Sequence, residues 1–182
     1  MNNRILIIIL SVILFTGCNK NGKYVEYYKN GNIEEIKFYK NNKLNGICQK
    51  FDSNGKLEIE LNYKNGILNG YNRIYKDGKL KSESFFVNNI EHGIVRSWYD
   101  NGQLQSLDYR VLGVGEGEEI HYYENGSLHS KGQNKGDART GIWRFYYENG
   151  CLEKEGEYVN GMEYGIWKFY DSKTQLIKEK QF

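Results

Sequence analysis

The residues best suited to bind a metal are the three histidines, His92, His121 and His129. Only His121 has carboxylates nearby in the chain, at Glu118 and Glu119. Residues two apart on a strand share a face, so Glu119 and His121 would supply two ligands. A zinc site needs three or four ligands with supporting hydrogen bonds. The spacing therefore predicts no metal site and no cofactor.

Candidate nucleophiles and phosphate loops also lack the patterns that their chemistry needs. A hydrolase serine of the elbow type lies in a Gly-x-Ser-x-Gly turn, and no serine of this chain has that context. The serines considered are Ser97, Ser106, Ser127 and Ser130. The glycine segment 113–117 lacks the Gly-x-Gly-x-x-Gly spacing, and no helix pattern follows it to direct a dipole at a phosphate. We therefore expect a protein that is not an enzyme.

The composition indicates which elements would have to position any site. The chain of 182 residues has 21 Gly, 16 Tyr and no Pro, and 39% of it is hydrophobic. This apolar content excludes a disordered chain, the lack of Pro excludes collagen, and so much Gly is unfavourable in a helical bundle. The formal net charge is +2 and the charges are interspersed. We expect neither a nucleic acid nor a small-molecule substrate as partner.

A repeat of 24 residues organises the chain. Six turn-forming dipeptides recur at spacings of 24, 23, 24, 24 and 24 residues, and a second glycine opens each following unit. The dipeptides are Asn30-Gly31, Asn54-Gly55, Asp77-Gly78, Asn101-Gly102, Asn125-Gly126 and Asn149-Gly150. The unit-opening glycines are Gly46, Gly70, Gly93, Gly117, Gly141 and Gly165. Six units and a partial seventh therefore cover residues 24–182.

Each unit has the pattern of a β-hairpin. Asn-Gly between apolar segments favours a type I′ turn, in which both central residues have positive φ. Further turns that join one hairpin to the next are predicted at Asn41-Asn42, Asn65-Gly66, Asn88-Asn89 and Asn160-Gly161. The predicted fold is all-β, an elongated single-layer antiparallel meander of about thirteen strands. Looser pairing is expected over 110–140, where Arg110 and Asn134 replace a tyrosine. The segments 113–117 and 132–140 are expected to be flexible loops or the place where the sheet bends.

Two neighbouring columns of mostly aromatic residues precede the turns. The first contains Tyr27, Phe51, Ile74, Trp98, Tyr122, Tyr146 and Tyr170, and the second contains Tyr28, Tyr75, Tyr99, Tyr123 and Tyr147. Adjacent strand residues face opposite sides, so we expect the first column to pack and the second to form a tyrosine ladder on the other face. Such a ladder shields the sheet or binds a protein. The candidate binding residues are Tyr75, Tyr99, Tyr123 and Tyr147.

The cysteines give no expectation of a disulfide within the array. Cys48 and Cys151 are separated by 103 residues, a little over four units. At about 10 Å per two-stranded unit they would lie roughly 40 Å apart, far beyond the reach of a disulfide. Cys48 occupies the position of Trp143 and Trp167 in their units, so we expect it to be a buried apolar thiol.

The first eighteen residues have the pattern of an export signal. Arg4 precedes the apolar segment Ile5–Phe15, which is shorter than the roughly 20 residues of a spanning helix. The segment Leu14-Phe15-Thr16-Gly17-Cys18 resembles the lipobox of bacterial lipoproteins, with Phe15 in place of the usual Leu. The resemblance implies a signal peptide at 1–17, lipid attachment at Cys18 and a lipidated tether at 18–23. It implies anchoring in the bacterial cell envelope, facing outside the cytoplasm.

The segment Gly141–Leu152, with Tyr158-Val159-Asn160-Gly161 and Gly165 after it, resembles the bacterial variant of the MORN repeat. It is similar to the arrays grouped as YwqK-like antitoxin proteins. The resemblance implies a long sheet of β-hairpins without catalytic residues, which acts by binding another protein or a membrane surface.

Three functions fit these expectations. The first is a non-enzymatic envelope lipoprotein that serves as a protein-binding scaffold. The second is an antitoxin or immunity protein that neutralises a toxin, which the export signal would place outside the cytoplasm. The third is a structural spacer or self-associating element, favoured by open sheet edges at Tyr24–Tyr28 and Ile177–Phe182.

Overall fold

The structure, a computed structural model, describes residues 19–182; the expected signal peptide and Cys18 lie outside this part of the chain. These residues form one antiparallel sheet of 16 strands that follow one another in chain order. The strands are β1 (Gly22–Tyr27), β2 (Ile33–Lys40), β3 (Lys43–Leu44), β4 (Gly46–Phe51), β5 (Leu57–Lys64), β6 (Ile67–Lys76), β7 (Lys79–Val87), β8 (Ile90–Glu91), β9 (Gly93–Trp98), β10 (Leu104–Val111), β11 (Val114–Tyr122), β12 (Leu128–Lys135), β13 (Ala138–Tyr146), β14 (Leu152–Val159), β15 (Met162–Tyr170) and β16 (Leu176–Gln181).

The predicted all-β meander of hairpins is confirmed, with more strands than expected. Two of the additional strands are β3 and β8, which have two residues each and pair only with β2 and β7. The looser pairing expected between Arg110 and Thr140 is wrong, because β11, β12 and β13 pair along their lengths there, with single register shifts like those of the other hairpins. No helix among the residues from 19 onwards is long and apolar enough to cross a membrane.

The turns that join one unit to the next have the predicted type I′ geometry. Asn65 and Gly66 have φ of 54° and 83°, and Asn160 and Gly161 have φ of 51° and 81°. Each of these joining turns also bonds to the preceding unit. The N–H of Gly66 donates to the carbonyl of Leu44 at 2.7 Å. The joining turns therefore lie side by side along one long edge of the sheet.

The Asn-Gly turns inside the units, called inner turns below, have a different geometry. In the sixth unit Gly150 has a φ of 83°, whereas Asn149 has no positive φ. The N–H of Tyr147 donates to the carbonyl of Cys151, and that of Gly150 to the carbonyl of Tyr147, both at 2.9 Å. This pattern is a type I turn followed by a left-handed glycine. The type I′ prediction is wrong for these turns, since only the glycine adopts positive φ.

The inner turn of the third unit is the exception. Asp77 and Gly78 have φ of 53° and 76°, which is type I′, and Tyr75 pairs directly with Leu80. The loop is one residue shorter than in the other units. This shorter loop accounts for the single spacing of 23 residues.

The apolar core lies on one face of the sheet, called the core face below. Trp143 and Trp167 are 0% exposed and pack with Phe145 and Tyr158. Each indole ring covers a glycine of the preceding strand: a Cβ added to Gly156 would come within 2.2 Å of a Trp167 ring carbon. Because glycine has no side chain, the ring can lie flat against the sheet. Trp143 lies in the same way on Gly132 of β12.

The expectation that the first aromatic column forms the packed stripe is wrong. Tyr27 is 61% exposed, and Ile74, which the short third-unit turn leaves on the core face, is 44% exposed. The buried residues Trp143 and Phe145 lie at alternate positions of β13, so their neighbour Tyr146 faces the opposite side. The contacts between the tryptophans and the glycines beneath them determine which face of the sheet is the core face.

Candidate functional site

The tyrosine column fastens each unit to the next. The hydroxyls of Tyr99, Tyr123 and Tyr147 each donate to the backbone carbonyl of the residue 23 positions later, at 2.8, 2.7 and 3.0 Å. Tyr28 makes the same bond to the carbonyl of Phe51 at 2.7 Å. All four rings are half-buried. A binding role for this column stays a prediction, and its hydroxyls already have partners.

The prediction that Tyr75 belongs to this column is wrong, because Tyr75 pairs with Leu80 as Tyr122 of the first column pairs with Leu128. Its hydroxyl has no partner among residues 19–182. The short type I′ turn after Tyr75 changes the local register, which separates this tyrosine from the pattern of the others. Burial, and then the charge of Glu60, raise the pKa of Tyr75. Of the predicted binding residues, Tyr75 alone therefore keeps a hydroxyl available to a partner.

A second ladder of side chains runs along the same edge. The Asn101 Nδ2 donates to the carbonyl of Glu124 at 2.7 Å, and the Asn149 Nδ2 donates to the carbonyl of Ser172 at 3.0 Å. These bonds connect each inner turn to the next one. The edge is therefore a structural fastening built from tyrosine hydroxyls and asparagine amides.

The core face becomes polar in the middle of the array. Glu119 occupies the position of Trp143 and Trp167 in its unit, two residues after the unit-opening glycine. His121 Nε2 lies 2.5 Å from Glu119 Oε1, and Asn134 Nδ2 donates to the other carboxylate oxygen of Glu119. The Oδ1 of Asn134 is buried without a partner. Hydrogen bonds thus replace aromatic packing at the level of β11 and β12.

The same polar cluster includes charged residues of β10. Asp108 pairs across the strands with Glu119. The Arg110 guanidinium contacts Asp108 at 2.6 Å and Asp137 at 2.8 Å. The expectation that Arg110 and Asn134 loosen the sheet is wrong, because both side chains take part in this network.

The pKa values of two carboxyl groups in the cluster are shifted in opposite directions. The hydrogen bond from His121 holds the pKa of Glu119 below its usual range, with Asn134 adding to the effect. Burial raises the pKa of Asp108, against the opposing charge of Arg110. Burial also lowers the pKa of His129.

The residues that can bind metals are scattered through the described sheet. No group of three or more His, Cys, Asp and Glu side chains converges between residues 19 and 182. Cys48 and Cys151 are both free thiols. Cys48 is 6% exposed, which confirms the predicted buried thiol, and burial raises its pKa.

The opposite side of the sheet, called the open face below, carries exposed apolar side chains. Ile47, Tyr71, Ile142 and Ile166 each follow a unit-opening glycine and are 44%, 42%, 49% and 56% exposed. Each directly precedes a core-face residue, so alternation directs it outward. Tyr109 of β10, at 39% exposed, extends this apolar ribbon. This ribbon is the candidate binding surface, and the two aromatic columns did not predict it. The apolar residues that directly follow unit-opening glycines could have indicated it from the sequence.

A chain of ion pairs flanks the ribbon on the open face. Arg73 contacts Glu60 at 3.0 Å and Glu83 at 2.8 Å, and Arg96 contacts Glu83 at 3.3 Å. The Arg73 guanidinium also lies 4.7 Å from the centre of the Tyr71 ring. Apolar side chains beside satisfied charges are the usual composition of a protein-binding surface.

The hairpin units match a known family of repeats. The MORN repeat variant family matches residues 20–41, 44–65, 91–109, 115–133 and 139–160, more than half of the chain. The chain belongs to the MORN repeat variant family. The MORN match omits residues 66–90, which contain the short turn at Asp77-Gly78.

Comparisons with curated proteins and with solved structures add no argument about the fold. No curated protein matches the chain. Among solved structures, TarM shares 17% identity over 72% of this chain and 21% of that protein, with a TM-score of 0.30. A mutant of S. aureus TarM in complex with fondaparinux, alpha-GlcNAc-glycerol and UDP shares 17% identity over 65% and 19%, with a TM-score of 0.29. The chain thus spans about a fifth of these proteins, and such TM-scores are too low to indicate a shared fold.

Proposed function

We propose that this protein is an envelope lipoprotein whose MORN repeats bind another protein through the open face. The observation that carries the proposal is the apolar ribbon, in which Ile47, Tyr71, Ile142 and Ile166 hold the same position in the second, third, sixth and seventh units. On the core face of the last units, by contrast, Trp143 and Trp167 are covered by neighbouring aromatic residues. Exposed aromatic and aliphatic side chains with a polar rim mark interaction surfaces of soluble domains.

The short segment after Cys18 supports a close attachment to the anchor. Asn42 donates to the carbonyl of Lys20 at 3.0 Å and accepts from its N–H at 2.6 Å. The N–H of Asn41 donates to the side chain of Asn21 at 2.8 Å. The expected tether is therefore held against the first joining turn, and an acyl group on Cys18 would hold this end of the sheet at the membrane.

The charges near this end agree with such a position. Segments 19–23, 39–46 and 62–69 contain five lysines and no Asp or Glu. All five lysines are exposed: Lys20, Lys23, Lys40, Lys43 and Lys64. Lysines close to an anionic lipid surface contribute about 1 kcal/mol each to its attraction. Electrostatic attraction would therefore reinforce a lipid anchor at this end.

Substitutions on the open face test partner binding. Ile47→Lys with Ile142→Lys places two charges in the ribbon, and we expect the double variant to lose a partner that the wild type retains on affinity purification from envelope extract. Ile74→Lys is the matched control, because Ile74 is also 44% exposed but lies on the other face. Equal retention by the ribbon variant and the wild type would refute the proposed surface.

Replacement of Cys18 tests the anchor separately. Cys18→Ser should abolish labelling by a radioactive or clickable fatty acid and release the protein from the membrane fraction. A variant that stays membrane-bound without the label would exclude lipid attachment at Cys18 and leave the test of the open face unaffected.

Neutralisation of a toxin is the more specific form of this proposal. A protein-binding face could mask the active site of a toxin, in keeping with the antitoxin-like arrays that the repeats resemble. Co-expression with a toxic product of an adjacent gene tests it: rescue is expected only when the open face is intact. Continued lethality with the wild type would exclude that product as the partner.

A further inference from the structure

Five inner turns contain Asn-Gly, the dipeptide most prone to spontaneous deamidation. In this reaction the backbone nitrogen of Gly attacks Cγ of Asn and forms a new C–N bond. The bond from Cγ to Nδ2 breaks, the proton moves to Nδ2, and ammonia leaves. Water then opens the five-membered succinimide at either carbonyl and yields aspartate or isoaspartate. The five dipeptides begin at Asn30, Asn54, Asn101, Asn125 and Asn149.

Four of these asparagines are held at both amide atoms. Each Oδ1 accepts from the backbone N–H two residues later, at 3.0, 2.9, 2.8 and 3.0 Å for Asn30, Asn101, Asn125 and Asn149. Each Nδ2 donates to a backbone carbonyl of the next inner turn, at 2.7, 2.7, 3.4 and 3.0 Å. Cγ cannot turn towards the glycine nitrogen until these bonds break.

Asn54 lacks the first bond because of the residue at the start of its turn. Asp52 replaces the tyrosine found there in four other units. Its Oδ1 accepts from the N–H of Asn54 at 2.9 Å and from the N–H of Lys56 at 2.8 Å. In the other turns the equivalent of the Lys56 N–H donates to the asparagine. Asp52 thus occupies the donor that would hold Asn54.

Asn54 lacks the second bond because of its neighbouring unit. The following inner turn is the short type I′ turn at Asp77-Gly78. The carbonyl that receives the asparagine amide in the longer turns has no counterpart at this position. Asn54 Oδ1 accepts no hydrogen bond among residues 19–182, and its amide contacts only the Asp52 carboxylate of its own turn there, not the next inner turn.

We propose that Asn54 is a site of spontaneous deamidation, a reaction that the asparagine ladder slows at the other four inner turns. The product carboxylate would form two residues from Lys56, which contacts Asp77 at 3.1 Å. An isoaspartate would also lengthen the turn backbone by one methylene group. The site is independent of the proposed anchor and of the open face.

A time course on the full-length protein tests the proposal. The protein is incubated at mildly alkaline pH, and peptides are analysed by mass spectrometry, with isoaspartate detected by enzymatic methylation. Without the bond to Oδ1 and the bond across to the next inner turn, the reactive geometry is populated about tenfold more. We therefore expect Asn54 to convert about tenfold faster than Asn101, Asn125 and Asn149.

Two controls separate the effect of the fold from that of local sequence. In the urea-unfolded protein all five dipeptides should react at similar rates, because each asparagine is followed by glycine. In the folded protein Asp52→Tyr should slow Asn54 by freeing the Lys56 N–H to donate to it. The proposal is overturned if folded Asn54 reacts no faster than Asn149, or if Asp52→Tyr leaves its rate unchanged.

Discussion

At the scale of single residues, Gly156 shows how strictly the core face is packed. Its added Cβ would lie 2.2 Å from a ring carbon of Trp167, in a position with ordinary backbone conformation. Gly156→Ala should therefore lower the free energy of unfolding by about 3 kcal/mol or more. Gly136→Ala is the control, since Gly136 has a φ of 62° and open space around it, and should cost about 1 kcal/mol. Equal losses in urea denaturation would contradict the ring-on-glycine contact.

Thr174 is a second residue whose backbone determines the outcome of a substitution. It has a φ of 67° and stands where the other long inner turns have glycine. A β-branched residue in the left-handed region is strained by about 1–2 kcal/mol. Thr174→Gly should raise the free energy of unfolding by roughly 1 kcal/mol, measured by urea denaturation. A loss of stability would show that the threonine side chain compensates for the strain.

The polar cluster predicts a response to acid. Because His121 lowers the pKa of Glu119, the charged carboxylate contributes stability above its unfolded pKa, about 4.3, and that contribution is lost as the pH falls through the folded pKa. Glu119→Gln should therefore weaken the loss of stability between about pH 5 and pH 3. The loss is measured by denaturant unfolding at each pH.

Asp108 supplies the matched control for this pH dependence. Its pKa is raised by burial, so the folded state gains relative stability as the pH falls and Asp108 takes up a proton. Asp108→Asn removes that gain and should steepen the acid loss, opposite to the effect of Glu119→Gln. The same direction of change in both variants would contradict the arrangement of the cluster.

At the scale of elements, the hairpins were predictable because turn signals are local. Asn65-Gly66 and Asn160-Gly161 form the expected type I′ turns. The geometry of the inner turns was not predictable, because Asn149-Gly150 fits both a two-residue turn and a turn with a bulge. The choice depends on bonds to the next unit, such as the one from Asn149 to Ser172. These bonds join residues 23 positions apart and leave no local pattern.

The coupling between units can be measured by removing one hydroxyl. Tyr123→Phe deletes the bond to the carbonyl of Tyr146 and should lower the free energy of unfolding by about 1 kcal/mol. Tyr75→Phe removes a hydroxyl that makes no such bond, and should have an effect within about 0.5 kcal/mol of zero. Urea denaturation compares the two. Equal effects would indicate that the column contributes through its rings alone.

At the scale of the whole molecule, the 24-residue repeat predicted the meander but not which face would be covered. Two aromatic columns suggested one packed side, whereas the burial of Trp143 and Trp167 depends on glycines of the strands before them. The ribbon of Ile47, Tyr71, Ile142 and Ile166 is open because it alternates with that core. The covered face is therefore determined by contacts between neighbouring strands, and the spacing of aromatic residues along the sequence does not show these contacts.

Site-specific photocrosslinking in living cells tests the proposed binding face most directly. A photoreactive amino acid replaces Tyr71 or Ile142 on the open face, and Ile74 on the core face serves as the control of similar exposure. We expect both open-face positions to form a crosslink to the same protein and Ile74 to form none. A protein crosslinked from Ile74 but from neither Tyr71 nor Ile142 would contradict the assignment of the open face as the binding surface.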